Sequence, residues 1–231
     1  MEAQSGYGVL GKAFQLLRAV QAGAATPREL SERTGISRAT TYRLVTALQG
    51  AGLLAPDGKG GWMLGTWLHE LAAQATDPLL VTARPVMQEL HEATGESIQL
   101  YRRAGDVRVC IAAVEQAAGL RDTVPMGNEL TMSAGSAAQV LLAFTADPGT
   151  EAVSEQAFGP VLLRRVRQRG WAESVGQRAL GVASVSAPVH CSNGRLLALC
   201  LSGPISRMTR EPGRQYAQPV VRAARSLTDA L

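Results

Sequence analysis

The chain is poor in aromatic residues and lysine, and it has no long hydrophobic run. Aromatic residues make up 4% of its 231 residues, so leucine, valine and alanine must fill its cores. Lys12 and Lys59 are the two lysines among 23 basic residues, and the others are arginines. No apolar run approaches the roughly 20 residues of a membrane span, and the first twenty residues lack the apolar block of a signal peptide. These absences predict a cytoplasmic protein with no membrane partner.

The residues that build metal sites and disulfide frameworks are also scarce. The three cysteines (110, 191 and 200) are odd in number and form no C-x-x-C pair, and the three histidines (69, 91 and 190) are scattered. No G-x-S-x-G motif, phosphate-binding loop or Ser/His/Asp arrangement is present. We therefore expect no metal, no cofactor and no enzymatic activity.

The composition instead indicates a folded protein whose net charge is compatible with binding a polyanion. Hydrophobic residues make up 46% of the chain, which is enough for two ordinary cores. The net charge is +4 and the pI is near 9.3, which permits binding to nucleic acid without proving it.

The stretch from Thr26 to Ala51 predicts two short helices joined by a tight turn. Thr26 is a good N-cap, Pro27 suits the first helical position, and Glu29 completes a capping box. Gly35 suits the end of the first helix, and Ser37 is a suitable cap for the second. We expect Ile36, which lies between the two helices, to be buried.

The outward face of the second helix is short, hydroxylated and basic. Thr41, Leu44, Val45 and Leu48 share the inward side at helical spacing. The opposite face can enter a major groove, where arginine reads guanine and small methyl groups touch thymine. A helical hairpin with no role in nucleic-acid binding is the alternative. With the cap, the candidate DNA contacts are Ser37, Arg38, Ala39, Thr40, Tyr42, Arg43 and Thr46.

The flanking segments favour a winged helix-turn-helix. Two short apolar segments enclose the tip A-P-D-G-K-G-G, which places Lys59 where it can reach a phosphate or a minor groove. Upstream, Leu10, Phe14, Leu17 and Val20 recur at helical spacing, which predicts a third core helix.

The second half of the chain predicts an antiparallel sheet with helices on its faces. Helices are expected over 77–94, where Pro85 kinks or divides the helix, and over 133–144, 159–169 and 213–231. Strands are expected over 97–103, 107–114, 120–124, 171–175, 182–189 and 196–202. A short helix over 66–75 joins the two halves.

Two patterns point to a ligand site in this half. In the strands 182–189 and 196–202, one face is apolar, and the other carries Ser184, Cys200 and Ser202, which suits an enclosed cavity. The alternative is that helices pack closely over these small residues. The free amides of a helix that begins near Gly135 and Ser136 would favour a carboxylate, although ordinary capping explains them equally well.

Several motifs together resemble the IclR family of transcriptional regulators. They are G-V-L-G-K-A-F-Q-L-L, L-S-E-R-T-G-I-S-R-A-T-T-Y-R-L-V-T-A-L, G-W-M-L-G, S-A-G-S-A-A-Q-V-L-L-A, G-V-A-S-V-S-A-P-V and L-C-L-S-G-P-I-S-R. The resemblance implies an α+β chain in three parts. These are a winged helix-turn-helix DNA-binding domain over 1–65, a linker helix over 66–76 and a GAF-like effector-binding domain over 77–231.

The resemblance also implies a set of effector-binding residues. In this family the helix start matched by Gly135 and Ser136 binds the effector carboxylate, and two strands supply small polar side chains. Ser174 lies at or near a position where the family often has an acidic residue, which is a departure from the pattern. Met126 and Leu130 match an apolar wall. The implied set is Met126, Leu130, Gly135, Ser136, Ser174, Ser184, Cys200 and Ser202.

A narrower resemblance, carried by segments such as S-G-Y-G-V-L-G-K-A and S-G-P-I-S-R-M-T-R-E-P-G-R, is to actinobacterial regulators of leucine and related amino-acid biosynthesis. It implies leucine, a branched-chain oxo-acid or a pathway intermediate as the effector. Because one winged domain makes few base contacts, we expect a homodimer or a dimer of dimers on double-stranded operator DNA. The competing hypothesis is a thiol-sensing regulator that uses Cys200, or Cys191 in an exposed turn.

Overall fold

The computed structural model describes residues 8–74, 77–115, 120–145 and 157–231. It divides the chain into two compact units, Met1–Thr76 and Asp77–Leu231. Each unit has its own hydrophobic core. The last residue of the helix expected over 66–75 lies outside the described residues.

The first unit is a winged helix-turn-helix, as the sequence predicts. Its elements are α1 (Gly8–Gln21), α2 (Pro27–Thr34), α3 (Arg38–Gly50), β1 (Leu54–Pro56), β2 (Trp62–Leu64) and α4 (Trp67–Gln74). Leu16, Leu30 and Val45 meet with no exposed surface where α1, α2 and α3 pack together. β1 and β2 pair antiparallel and form the wing.

The ends of α2 and α3 largely follow the capping residues that the sequence predicts. The Thr26 hydroxyl accepts from the Glu29 amide, and the Glu29 carboxylate accepts from the Thr26 amide, so the capping box is complete. Gly35 ends α2 with a φ of 70°, and Ile36 is buried. Ser37 occupies the N-cap of α3, but its side chain makes no capping bond and donates to Thr40 Oγ1 instead.

The predicted inward face of α1 is partly wrong. Leu10 and Phe14 are 63% and 57% exposed, whereas Leu16 and Val20 reach the core with Ala19. Helix α1 has two apolar stripes, and the one that contains Leu16, Ala19 and Val20 packs against α2 and α3. The Leu10–Phe14 stripe therefore remains on the surface of the unit.

The second unit combines one sheet with several helices. Its elements are α5 (Pro78–Thr94), β3 (Ser97–Ala104), β4 (Val107–Val114), β5 (Glu129–Thr131), α6 (Ser136–Phe144), α7 (Gly159–Arg169), β6 (Ala172–Val175), β7 (Val182–His190), β8 (Leu196–Pro204), α8 (Ile205–Met208) and α9 (Pro212–Ala230). The strand order is β5-β4-β3-β8-β7-β6, and every neighbouring pair is antiparallel.

The two faces of this sheet differ in chemistry. Leu197, Leu199 and Leu201 of β8 face α5 and α9 in an apolar core. Ala198, Cys200 and Ser202 face the other way, where α6 packs directly on β6, β7 and β8 and α7 packs on α6. We call this second side the α6 face.

Four details of the second unit differ from the predictions. Residues 120–124 form no strand: the Val124 amide donates to Glu115 Oε1 instead of to a neighbouring strand, and the Asp122 side chain pairs with Arg178. The short edge strand is Glu129–Thr131. Helix α6 begins at Ser136, three residues later than expected. Pro85 does not divide the helix in two, which is one of the two expectations for it, since α5 runs unbroken from Pro78 to Thr94.

Candidate nucleic-acid interface and effector site

The outward face of α3 is solvent-exposed along its length. Arg38, Ala39, Arg43 and Thr46 are exposed, and Tyr42 is 62% exposed. Thr40 is half-buried at the edge of the face. The inward side of the helix buries Thr41, Val45 and Leu48.

The wing tip is held by a single carboxylate. Asp57 Oδ1 accepts from the amides of Lys59 at 2.7 Å and Gly61 at 2.8 Å. These two bonds, led by that from Lys59, lower the pKa of Asp57 from its ordinary value. The carboxylate is therefore committed to the loop, and the Lys59 side chain projects into solvent.

The basic groups of α3 and of the wing tip are available to an outside anion. In residues 8–74, no ion pair involves Arg38, Arg43 or Lys59. Glu29 is engaged by backbone amides, and Glu32 pairs with Arg28 at 2.7 Å. An uncompensated basic strip on a helix and a wing is an arrangement that suits a DNA groove and its phosphates.

On the α6 face, strand register aligns small polar residues in two rows. Ser97, Ser202, Ser184 and Ser174 are consecutive partners across β3, β8, β7 and β6. We call this the serine row. The next row, from the same strands, contains Gln99, Cys200, Ser186 and Ala172. All eight residues are buried.

The start of α6 is bonded into these rows. Ser136 Oγ lies 2.7 Å from the hydroxyl oxygens of both Ser184 and Ser186, and Ser174 Oγ lies 2.9 Å from Ser184 Oγ. The Ser136 amide donates to Ser174 Oγ at 3.2 Å. Over β6 and β7, helix α6 therefore packs closely on the small polar residues. This is the expected alternative to a cavity, and it applies to this half of the face.

The other half, over β3 and β4, leaves polar atoms without partners. Ser202 donates to Gln99 Oε1 at 3.0 Å, but Gln99 Nε2 and Ser97 Oγ have no hydrogen-bond partner among the described residues. Arg108 on β4 is 3% exposed, and its Nε is also unpartnered there. Buried polar atoms without partners are rare in folded proteins, so this half is suited to polar groups of a ligand.

The structure thus brings together most of the predicted effector residues. Gly135, Ser136, Ser174, Ser184, Cys200 and Ser202 all lie on the α6 face. Leu130 packs against the same core and pairs with Arg108 across β4 and β5. Met126 lies apart, 68% exposed, on a cleft of 420 Å³ lined by α5, β4 and residues 123–126.

Sequence patterns missed several residues of this face. Ser97 and Gln99 have the same alternation as Ser184 and Ser186, so β3 contains the pattern that indicates the polar face in β7. Arg108 gave a weaker signal, as one charged residue within a mostly apolar strand. Its burial depends on the pairing of β4 with β3 and β5, which a single strand does not reveal.

The cysteines are buried and poorly suited to sensing oxidants. The predicted turn is exposed over residues 192–195, but Cys191 itself is buried at 8% exposure, and its amide donates to the carbonyl of Arg195, which closes the turn. Burial raises the pKa of both the Cys191 and the Cys200 thiol, and burial raises that of Cys110 to about 12. Protonated thiols are weak nucleophiles, which argues against the thiol-sensing hypothesis.

Two properties of the described residues bear on other functions. No helix there combines the length and the apolar character that a membrane span requires. The same residues contain no group of three or more His, Cys, Asp or Glu side chains arranged to hold a metal ion.

Family models match both units of the chain. The model described as the IclR helix-turn-helix domain matches residues 9–58, and the model described as the bacterial transcriptional regulator IclR C-terminal matches residues 72–229. The second of these alone covers more than half of the chain.

Curated relatives and a solved structure agree with these matches. The chain is 25% identical to the transcriptional repressor IclR of Escherichia coli K12 over 226 residues, covering 89% of this chain and 82% of the relative. It is 24% identical to the HTH-type transcriptional repressor AllR of the same strain, covering 99% and 92%. A crystal structure of an IclR-type transcriptional regulator from Silicibacter sp. TM1040 is 27% identical, with a TM-score of 0.82 and 96% of each chain covered.

Proposed function

Since the chain belongs to the IclR family of DNA-binding transcriptional regulators, we propose that a small carboxylate metabolite controls its binding to operator DNA. The relatives are transcriptional repressors, and the chain is a regulator rather than an enzyme.

The exposed basic face of α3 is the observation that carries the DNA-binding part of the proposal. An exposed α-helix with two arginines free of ion pairs in residues 8–74, and short side chains between them, fits a major groove. Lys59 at the wing tip supplies a separate phosphate or minor-groove contact. The proposed DNA contacts are Ser37, Arg38, Ala39, Thr40, Tyr42, Arg43, Thr46 and Lys59.

The polar α6 face is the proposed effector site. Its serine row and Cys200 place small polar side chains in a buried region, and over β3 and β4 the polar atoms of Ser97, Gln99 and Arg108 without hydrogen-bond partners among the described residues could bind a small polar ligand. A ligand there changes DNA affinity only if it binds more tightly to one arrangement of the DNA-binding units than to another.

We assign the pathway from the narrower sequence resemblance. The segments shared with actinobacterial regulators of leucine and related amino-acid biosynthesis make leucine, a branched-chain oxo-acid or a pathway intermediate the proposed effector. The regulated genes would then encode enzymes of amino-acid biosynthesis.

A homodimer, or a dimer of such dimers, is the proposed assembly. Val9, Leu10 and Phe14 form an exposed apolar stripe on α1, at 72%, 63% and 57% exposure, and Trp67 of the same unit is 43% exposed. Apolar patches of this kind mark association surfaces on small units. Two copies would present two α3 helices to the half-sites of one operator.

A mobility-shift titration tests this function. The full-length protein is titrated on a fragment from upstream of its own gene and on a shuffled fragment of equal length, at fixed salt, with and without leucine or 4-methyl-2-oxopentanoate. We expect selective binding to the upstream fragment and a change in midpoint with one metabolite. Equal binding to both fragments would exclude sequence-specific regulation at that site, and an unchanged midpoint would exclude these two effectors.

A further inference from the structure

Arg108 is a cation buried inside the second unit. Its side chain extends from β4 onto the α6 face and is 3% exposed. Its guanidinium carbon lies 5.5 Å from the centre of the Tyr101 ring, and Nη1 donates to the carbonyl of Thr131. Nη2 approaches the start of α6 so closely that a Cβ added at Gly135 would lie 3.1 Å from it.

No carboxylate of the described residues pairs with this guanidinium. The ion pairs of residues 77–115, 120–145 and 157–231 use other arginines. Asp122, the acidic residue that influences Cys200, is already paired with Arg178. Burial lowers the pKa of Arg108, and no acidic side chain is among the influences that raise it.

The neighbouring groups supply no negative charge either. Burial raises the pKa of Tyr101 and Cys200 above their ordinary values, and that of Cys110 to about 12, so all three are neutral near pH 7. The Arg178–Asp122 pair is neutral as a unit. This part of the α6 face therefore carries one uncompensated positive charge, which is costly in a buried region.

The start of α6 does not provide the missing anion site on its own. The Gly135 amide donates to Gln177 Oε1 at 3.0 Å, and the Ser136 amide donates to Ser174 Oγ at 3.2 Å. The two amides that the family resemblance assigns to a carboxylate already have side-chain acceptors. Arg108 Nε has no partner among the described residues, and Nη2 of the same guanidinium lies beside Gly135.

We propose that Arg108 is the charge partner of the effector's carboxylate, and that the site takes a monoanionic acid in preference to an amino-acid zwitterion. The inference rests on the proposed function, and it specifies which group binds the ligand and which class of ligand is bound. A 2-oxo acid or simple carboxylate neutralises Arg108. The ammonium group of an amino acid would need a second, negative partner, and the buried carboxylates of the described residues, Asp122 and Glu96, are already paired with Arg178 and Arg207.

Matched pairs of small molecules test the choice of ligand. Thermal-shift and calorimetric titrations of the full chain compare pyruvate with alanine, 3-methyl-2-oxobutanoate with valine, 4-methyl-2-oxopentanoate with leucine, and benzoate with benzamide. We expect at least one acid to bind and its amino or amide counterpart to bind roughly tenfold more weakly or not at all. Tighter binding of the amino acids, or binding of none of the four acids, would overturn the proposal.

Substitutions at Arg108 test the residue. For the acid that binds, Arg108→Gln should raise Kd by roughly 10- to 100-fold, and Arg108→Lys should lose less because it keeps the charge. Arg222→Gln is the control, since Arg222 is exposed on α9, which covers the opposite face. An unchanged Kd in Arg108→Gln would refute the assignment.

The unliganded stability separates ligand binding from a structural role. Removing an uncompensated buried cation should leave the melting temperature of ligand-free Arg108→Gln unchanged or higher. If Arg108 serves only to contact Tyr101 and Thr131, the melting temperature falls and ligand affinity is unaffected. Operator binding by the ligand-free protein is measured in parallel, so a failure of DNA binding is distinguished from a failure of this site.

Discussion

Arg43 is the side chain at the centre of the exposed face of α3. Arg43→Ala should weaken binding to the operator by roughly 10- to 100-fold, because one good arginine–guanine contact contributes about 1–3 kcal/mol of base discrimination. Its exposure means that the fold should not change. Fluorescence anisotropy with a labelled operator measures the loss, circular dichroism checks the fold, and Arg222→Ala serves as the control. Wild-type affinity in Arg43→Ala would remove α3 from the base contacts.

The buried thiol of Cys110, on the α6 face, should make the stability of the fold depend on pH in the alkaline range. Burial raises its pKa from 9.0 to about 12, so above pH 9 the unfolded chain releases this proton and the folded chain retains it. The stabilising contribution is complete below pH 9 and is lost as the pH rises through about 12. The melting temperature of the wild type should therefore fall more steeply between pH 9 and 11 than that of Cys110→Ala. Parallel slopes would contradict the assignment, whatever the absolute stability of the variant.

At the scale of elements, one ion pair fastens α8 to the beginning of β3. Arg207 Nε and Nη2 donate to the two carboxylate oxygens of Glu96 at 2.7 and 2.8 Å, and Glu96 is 2% exposed. Arg207→Ala would leave that buried carboxylate without its partner. We expect a loss of roughly 1–3 kcal/mol in the free energy of unfolding, kept moderate because the Arg207 side chain is 41% exposed.

The chain offers a matched control for this loss. Arg214 pairs with Glu211 at 2.8 Å, with the two side chains 82% and 61% exposed. Arg214→Ala should therefore change the unfolding free energy by less than about 1 kcal/mol. Urea unfolding followed by circular dichroism compares the two variants, and equal effects would argue that burial of Glu96 is unimportant.

Elements with strong local signals could be predicted from sequence to the residue. Helix α7 begins after Phe158 and ends at Gly170 with a φ of 80°, and β4 has the bounds that its apolar run indicates. Segment 120–124 has a strand-like composition, but an ion pair and a backbone–carboxylate bond hold it as a loop. Local patterns do not contain such tertiary contacts.

The effector site was predictable only in part for the same reason. Strand alternation identified Ser184, Cys200 and Ser202, because all three lie on the small polar side of their strands. It did not reveal that Ser136 forms hydrogen bonds with Ser184 and Ser186, because these bonds depend on the position at which α6 packs on the sheet. Arg108 was missed because its burial and lack of a partner are properties of the assembled sheet.

At the scale of the whole molecule, the exposed stripe of α1 should decide assembly. Phe14→Glu places a charge in the stripe, and it should convert the proposed dimer to a monomer and weaken operator binding. Sedimentation velocity at micromolar concentration measures the change. Leu180→Glu is the control, because Leu180 is 92% exposed in the other unit. A wild-type sedimentation coefficient for Phe14→Glu would move the interface elsewhere.

The scarcity of lysine has a practical consequence at the tip of the wing. In a Lys12→Arg background, Lys59 is the one remaining side-chain amine, and it is exposed. An amine-reactive dye would label Lys59, with the chain's α-amino group as the second target. The label would mark this loop without any engineered cysteine. The wing then carries its own spectroscopic reporter, and quenching of that dye by duplex would time the arrival of DNA at the loop separately from events at α3.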